Sequence, residues 1–358
     1  MVDIFKIKTN KPTVALERYF YLVPGVPKAG KTTLFAQFVE KYFGDIDKGL
    51  LLAAEAGYAA LRVNAIDIND WDDVEDIVEQ LIEYKDEIPY RFIGFDTGEI
   101  FWQYAQDKTI QEWNISHPEK RTKNINEVGA KGKSSEGYGV GYNIAKNKLQ
   151  SVVNRLMKAG FGIMVITHSK DKKVEEKNGL EYDQLVCSLP NSARDIFVNM
   201  ADFIVFLTIE KEKNGKDIET KRYLYFRSDG YVEAGARFRN LPVRIEYDVD
   251  NFIETIKEAI RSEYSSESEM KQAEKEQEEE KKQSIEEFIR SGAGKHEEEP
   301  TLEDSIAKIK SLIDALEMTD DIKSALASIF KEETGSKNYT RCKDVVALQR
   351  CIERVKSL

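Results

Sequence analysis

Two apolar rhythms alternate along the first 260 residues. Short runs dense in β-branched and aromatic side chains recur at 18–23, 49–55, 91–96, 161–167 and 202–209, and each reads as a buried strand. Between them, stretches with apolar residues spaced three and four apart predict helices over 33–43, 71–84, 99–106, 141–159 and 192–200. The 71–84 helix is the clearest, with Trp71, Val74, Val78, Leu81 and Ile82 on one face and Asp70 as its N-cap. Asn214-Gly215 predicts a hairpin turn into a strand over 221–227. Strands alternating with helices imply a mostly parallel α/β sheet, whose right-handed crossovers gather ligands at one edge.

Two stretches break the rhythm. Residues 108–140 are polar, rich in Lys, Asn and Gly, and read as a long loop; a second charged loop is expected from His168 to about Asp183. Residues 262–283 form a Glu/Lys/Ser tract almost without apolar side chains, which cannot bury a core and predicts a linker or a solvated helix. Periodicity returns from Thr301, where Thr301 and Asp304 resemble a capping box. Ile306, Ile309, Leu312, Ile313 and Leu316 make one face, Ile322, Leu326, Ile329 and Phe330 a second, and Val345, Val346, Leu348, Cys351, Ile352 and Val355 a third. The expected division is therefore an α/β domain over 1–260, an acidic linker over 261–300, and a small all-α unit over 301–358 that docks a partner.

Charge changes this picture locally. The net charge of −11 argues against nucleic acid as a partner only until its distribution is read. Residues 263–299 hold 13 acidic and 6 basic side chains, whereas 108–148 hold eight Lys/Arg against four Glu, so a basic surface remains available. The three cysteines are sparse and suggest reduced thiols; no apolar run is long enough to span a membrane and no secretion signal is evident, so a cytoplasmic setting is expected.

The chemistry concentrates in Gly25-Val26-Pro27-Lys28-Ala29-Gly30-Lys31-Thr32, followed by Thr33. This is G-x-x-x-x-G-K-[ST] between a strand and a helix, the setting that a phosphate-binding loop requires. Its glycines let backbone N–H groups curl around phosphate oxygens, and the helix turns its positive end to the same anion. Lys31 would reach the β- and γ-phosphates of ATP, and the Thr32 hydroxyl would ligate Mg²⁺. Asp96 closes an apolar strand and would orient the metal through water. Glu55, at the end of a strand taken to neighbour the loop, would position the attacking water; an ordinary surface glutamate is the alternative. His168 ends another strand and would sense the γ-phosphate; an ordinary exposed strand-end histidine is the alternative. Arg227, Arg237 and Arg239 flank the late strands, where a guanidinium from a neighbouring subunit could stabilise phosphoryl charge; ordinary surface arginines are the alternative. Lys120, Arg121, Lys123, Lys131 and Lys133, near Tyr138 and Tyr142, and Lys170, Lys172 and Lys173, are candidates for DNA contact; two solvated loops are the alternative.

The order of phosphate loop, Ala53-Ala54-Glu55, Phe92-Ile93-Gly94-Phe95-Asp96-Thr97 and Val165-Ile166-Thr167-His168 resembles the RecA-like ATPase core. It is similar to phage-encoded, RecA-related AAA ATPases of recombination modules, some acting in single-strand annealing. Gly137-Tyr138-Gly139, Leu189-Pro190, Arg194, Asp202 and a late Arg-rich hairpin add to the likeness. The resemblance implies a RecA-like P-loop fold and ATP and Mg²⁺ as cofactors. It assigns Glu55 as catalytic glutamate, Asp96 as metal-orienting aspartate and His168 as γ-phosphate sensor. It implies single-stranded DNA on segments 108–140 and 169–190, a ring or filament of subunits, and the host cytoplasm as location. A helicase-type or helicase-loading motor and a nucleotide-switched adaptor are the alternatives.

Overall fold

The computed structural model describes residues 12–129, 139–177, 179–214, 217–290, 302–314, 316, 319–336 and 338–356. Two compact units emerge: residues 1–106 with 142–294, and 107–141 with 295–358.

The first unit is built on one large sheet. Its parallel strands are β1 (Phe20–Gly25), β2 (Gly49–Ala53), β3 (Ala65–Asp67), β4 (Phe92–Asp96) and the start of β5 (Gly162–Glu175). Across the sheet the order runs β3, β2, β4, β5, β1. Beyond β1 come β7 (Phe203–Ile204) and β8 (Phe206–Asn214), parallel to it, then β9 (Asp217–Tyr225) and β11 (Arg244–Glu246), antiparallel to their neighbours; the two-residue β10 (Gly235–Ala236) pairs with β7. The mostly parallel α/β architecture expected from the sequence is present.

Alternation along each strand loads both faces. Phe20, Leu22, Ile93, Phe95, Ile163 and Val165 pack under α2 (Trp71–Glu83), α3 (Gly98–Ser116), α4 (Val140–Lys158) and α5 (Asn191–Met200). Tyr21, Val23, Leu51, Phe92, Met164 and Ile166 pack under α1 (Lys31–Phe43) and α6 (Val249–Arg261). A parallel sheet covered on both faces reads as continuous apolar runs, the pattern that gave the strands away. Asp70 caps α2 as expected, accepting from the Asp73 amide at 3.0 Å.

Three expectations need correction. The helix expected to end at Gln106 continues as α3 to Ser116, so the 108–140 stretch is not one long loop; short 3₁₀ turns at Pro118–Lys120 and Ile125–Glu127 occupy more of it. The charged loop after His168 is instead an antiparallel hairpin of β5 and β6 (Glu181–Cys187), paired from Ser169↔Cys187 to Glu175↔Glu181. Polar residues on both faces of a projecting hairpin leave no period for a sequence reading to find. The strand expected over 202–209 breaks at Val205 into β7 and β8. The β8–β9 ladder closes at Asn214↔Asp217, while Gly215 of the expected turn lies outside the described residues.

Part of the expected linker forms α7 (Glu267–Arg290), on which Met270 and Ala273 are buried, and Phe288 and Ile289 pack against the core. In the second unit, α8 (Leu302–Asp314), α9 (Asp320–Thr334) and α10 (Val345–Val355) enclose Ile309, Leu326, Ile329, Phe330, Leu348, Cys351, Ile352 and Val355. Thr319 and Asp344 cap α9 and α10; Thr301 of the expected capping box lies outside the described residues. Among the described residues no helix is long and apolar enough to cross a membrane.

Candidate nucleotide site

The parallel register brings the chemistry to one edge. Gly25 pairs with His168, Asp96 with Ile166, and Ala53 with Asp96, so the strand ends carrying the loop, His168, Asp96 and Glu55 lie in a row. Glu55 does not follow a strand adjacent to β1, in contrast to the arrangement expected from the sequence. β5 and β4 stand between, and the carboxylate reaches the site along the edge.

The loop turns where its residues permit. Gly30 has φ 102° at the N-cap of α1, and Lys28 is also left-handed at φ 63°. A Cβ on Gly25 would come within 2.7 Å of the Leu207 carbonyl oxygen, so the loop can leave β1 there only as glycine. Lys31 is buried and donates to the carbonyls of Gly25 and Val26 at 3.1 and 3.2 Å. Burial lowers its pKa, opposed by the charges of Asp96, Glu99 and Glu55.

Thr32 Oγ1 donates to Asp96 Oδ2 at 2.7 Å, and Asp96 is 4% exposed. Burial pushes the Asp96 carboxyl upward, the Thr32 bond pulls it down, and nearby Glu55 raises it again. A buried carboxylate held against a hydroxyl, with a second carboxylate close by, suits a hard cation. Thr32 would ligate Mg²⁺ directly and Asp96 through water, consistent with a metal that keeps several waters and shares phosphate oxygens. Among the described residues no group of three or more His, Cys, Asp or Glu forms an all-protein metal site. The peptide between Asp96 and Thr97 is cis.

Glu55 Oε1 lies 3.5 Å from His168 Nε2 and accepts from Thr97 Oγ1 at 3.4 Å. Both Glu55 and His168 are open to solvent. Behind them Glu99 Oε1 accepts from the His168 amide at 2.8 Å and from the Ser188 hydroxyl, which fastens the end of the core strand to the base of the β5–β6 hairpin. Glu99 Oε2 is buried with no hydrogen-bond partner among the described residues. Glu99 carries no sequence signal of its own, because only the turn from β4 into α3 brings it to the His168 amide and Thr97 to Glu55.

The other candidates are scattered. Arg237 donates to the carbonyls of Asn199 and Met200 and pairs with Asp202, whose other oxygen accepts from the Phe20 amide. That is the start of β1, the edge opposite the loop. Arg227 donates to the carbonyls of Phe238 and Arg239, and Arg239 is exposed. None of the three joins Lys31 within one chain. Lys170, Lys172 and Lys173 are exposed on the β5 arm of the hairpin, and Lys120, Arg121 and Lys123 are exposed around the 3₁₀ turn after α3. Lys131, Lys133, Gly137 and Tyr138 lie outside the described residues.

A model of the AAA domain family matches residues 17–238. No curated protein matches the chain. Among solved structures, a KaiC-like protein from the hyperthermophilic archaeon Pyrococcus horikoshii OT3 is similar at 16% identity, over 65% of this chain and 90% of that one, with a TM-score of 0.34. The matched span holds the loop, Glu55, Asp96 and His168 and covers more than half of the sequence: the chain belongs to the AAA domain family.

Proposed function

We propose that the protein hydrolyses ATP with Mg²⁺ and couples turnover to single-stranded DNA, in recombination or strand annealing. The observation that carries the hydrolysis is the row Lys31, Thr32–Asp96, Glu55 and His168 on one sheet edge. Lys31 would bind the β- and γ-phosphates, and Mg²⁺ held by Thr32 and Asp96 would neutralise charge as the γ-phosphoryl leaves. Glu55, half exposed beside His168 and Thr97, would orient the attacking water. His168 would register the γ-phosphate.

The DNA reading is supported by the hairpin that grows directly out of His168. Its base is tied to the sensor through Glu99 and Ser188, and its β5 arm bears Lys170, Lys172 and Lys173. A change at the γ-phosphate would thus move a basic arm suited to a nucleic-acid backbone. Arg237 and Arg239 could act only on a neighbouring subunit's nucleotide, which makes a ring or filament part of the proposal.

The test is ATP turnover with no DNA, single-stranded DNA and duplex DNA, at several salt concentrations. Single strands should stimulate turnover, with the stimulation fading steeply as salt rises. Lys31→Ala should abolish turnover throughout. Turnover indifferent to any DNA would remove the DNA role and leave the ATPase standing.

A further inference from the structure

Arg222 takes no part in the site as described so far, yet it lies against the phosphate loop. It pairs with Ile209 across the β8–β9 ladder, while Gly25 pairs with Leu207, so Arg222 stands two residues beyond the end of β1. Its Nη1 donates to the Ala29 carbonyl at 3.4 Å, and a Cβ on Gly30 would come within 2.9 Å of that nitrogen.

The surroundings hold this side chain in one attitude. Its guanidinium carbon is 4.2 Å from the centroid of the Tyr247 ring. Tyr247 is itself fixed at both ends: its amide donates to the Arg222 carbonyl at 2.8 Å, and its hydroxyl donates to Gln37 Oε1 of α1 at 3.1 Å. The ring holds the cation from one side, and the guanidinium keeps N–H groups beyond the one that meets Ala29 for an anion.

Its charge is also uncommitted. Neighbouring Lys221 pairs with Glu212 and Glu246, and Arg244 pairs with Glu210 and Glu212. Among the described residues no ion pair engages Arg222. An exposed arginine held over a ring, against the loop at Ala29 and Gly30 and, among the described residues, in no ion pair, is arranged for phosphate.

Position decides which phosphate. Asp96 and Glu55 approach the loop from the β5–β4–β2 flank of β1, and Arg222 approaches from the β8–β9 flank. A metal held by Thr32 and Asp96, and the γ-phosphate beside it, would lie on the first flank. We propose that Arg222 is a nucleotide-binding residue acting within its own chain, its guanidinium edge gripping the α- and β-phosphate oxygens while Tyr247 serves as its platform. This rests on the loop being a nucleotide site.

The experiment is titration of the full-length chain with fluorescent ADP and with a non-hydrolysable ATP analogue carrying the same label. Arg222→Ala should weaken both by the same factor, roughly ten- to a hundredfold, as loss of a charge-assisted phosphate contact does. Arg222→Lys should recover part of that affinity. Tyr247→Leu should weaken both ligands less than Arg222→Ala does. Unchanged circular dichroism and melting temperature identify variants that fold, and Arg222→Gln replaces any that does not. If wild type binds and Arg222→Ala binds both ligands equally well, the assignment of Arg222 is overturned and the loop reading stands. If only the triphosphate analogue is weakened, the contact is to the γ-phosphate and the assignment is likewise overturned. If wild type binds neither ligand, the nucleotide reading itself falls.

Discussion

Asp96 must be ionised to orient a metal, in a place where ionisation is costly. Its carboxyl is almost fully buried and its pKa is raised by that burial, with the Thr32 hydroxyl offsetting only part of the cost. The group is therefore more easily protonated folded than unfolded. Its penalty is complete above the folded pKa, shrinks as pH falls, and is gone below the ordinary 3.8, where both states carry the proton. Asp96→Asn keeps the shape and still accepts from Thr32. Its melting temperature should rise by about 2–4 °C at neutral pH, with the gain shrinking on acidification, while Mg²⁺-dependent turnover falls roughly a hundredfold or more. Thermal melts from pH 4 to 8 beside an ATPase assay test this, and a variant less stable at neutral pH would refute it.

At the scale of elements, Lys85 shows how a helix end and a neighbouring strand can conflict. It follows α2, is 8% exposed, and holds its ammonium 3.4 Å from the centroid of the Phe161 ring, just before β5. Its Nζ is buried with no hydrogen-bond partner among the described residues. Burial, with a smaller contribution from Arg91, pushes its pKa down to about 7. Because the folded value lies below the unfolded 10.5, the unfolded chain binds more protons between those limits, and stability should climb as pH rises from 7. The climb from pH 7 to 9 should be on the order of 1–3 kcal/mol, as a shift of this direction and size implies. Lys85→Met should be more stable at pH 7 and show a flatter profile. Urea unfolding at each pH measures both curves, and identical slopes would exclude Lys85 as the cause.

For the whole molecule, the consequential element is α7. Its composition is that of a solvated tract, yet Ile285 lies where a Cβ on Gly160 would stand, and Glu274 accepts from the Val14 amide. Its few apolar residues close part of the core that α4 and β5 leave open. Without α7 the apolar surface that Phe288 and Ile289 cover would face water. A chain ending at residue 262 should therefore melt below one ending at 294, by on the order of 5–10 °C. Differential scanning calorimetry of the two truncations decides it; coincident transitions would show α7 to be an appendage.

The amino-acid sequence alone determined the parallel strands, their covering helices, the phosphate loop and the order in which Glu55, Asp96 and His168 follow it. Those features are local: a strand buried on both faces is a continuous apolar run, and a phosphate loop needs glycine, lysine and threonine at set spacings. Tertiary structure decided the rest. The insertion of β5 and β4 between β1 and β2, the hairpin after His168 and the docking of α7 depend on contacts distant in sequence. Arg222 is the sharpest case. In sequence it is one basic residue in a late strand, like Arg227, and only the β8–β9 register turns it toward Ala29 and Gly30. Pairing register is set by long-range hydrogen bonds and packing, and a slip of one residue would face it away from the loop.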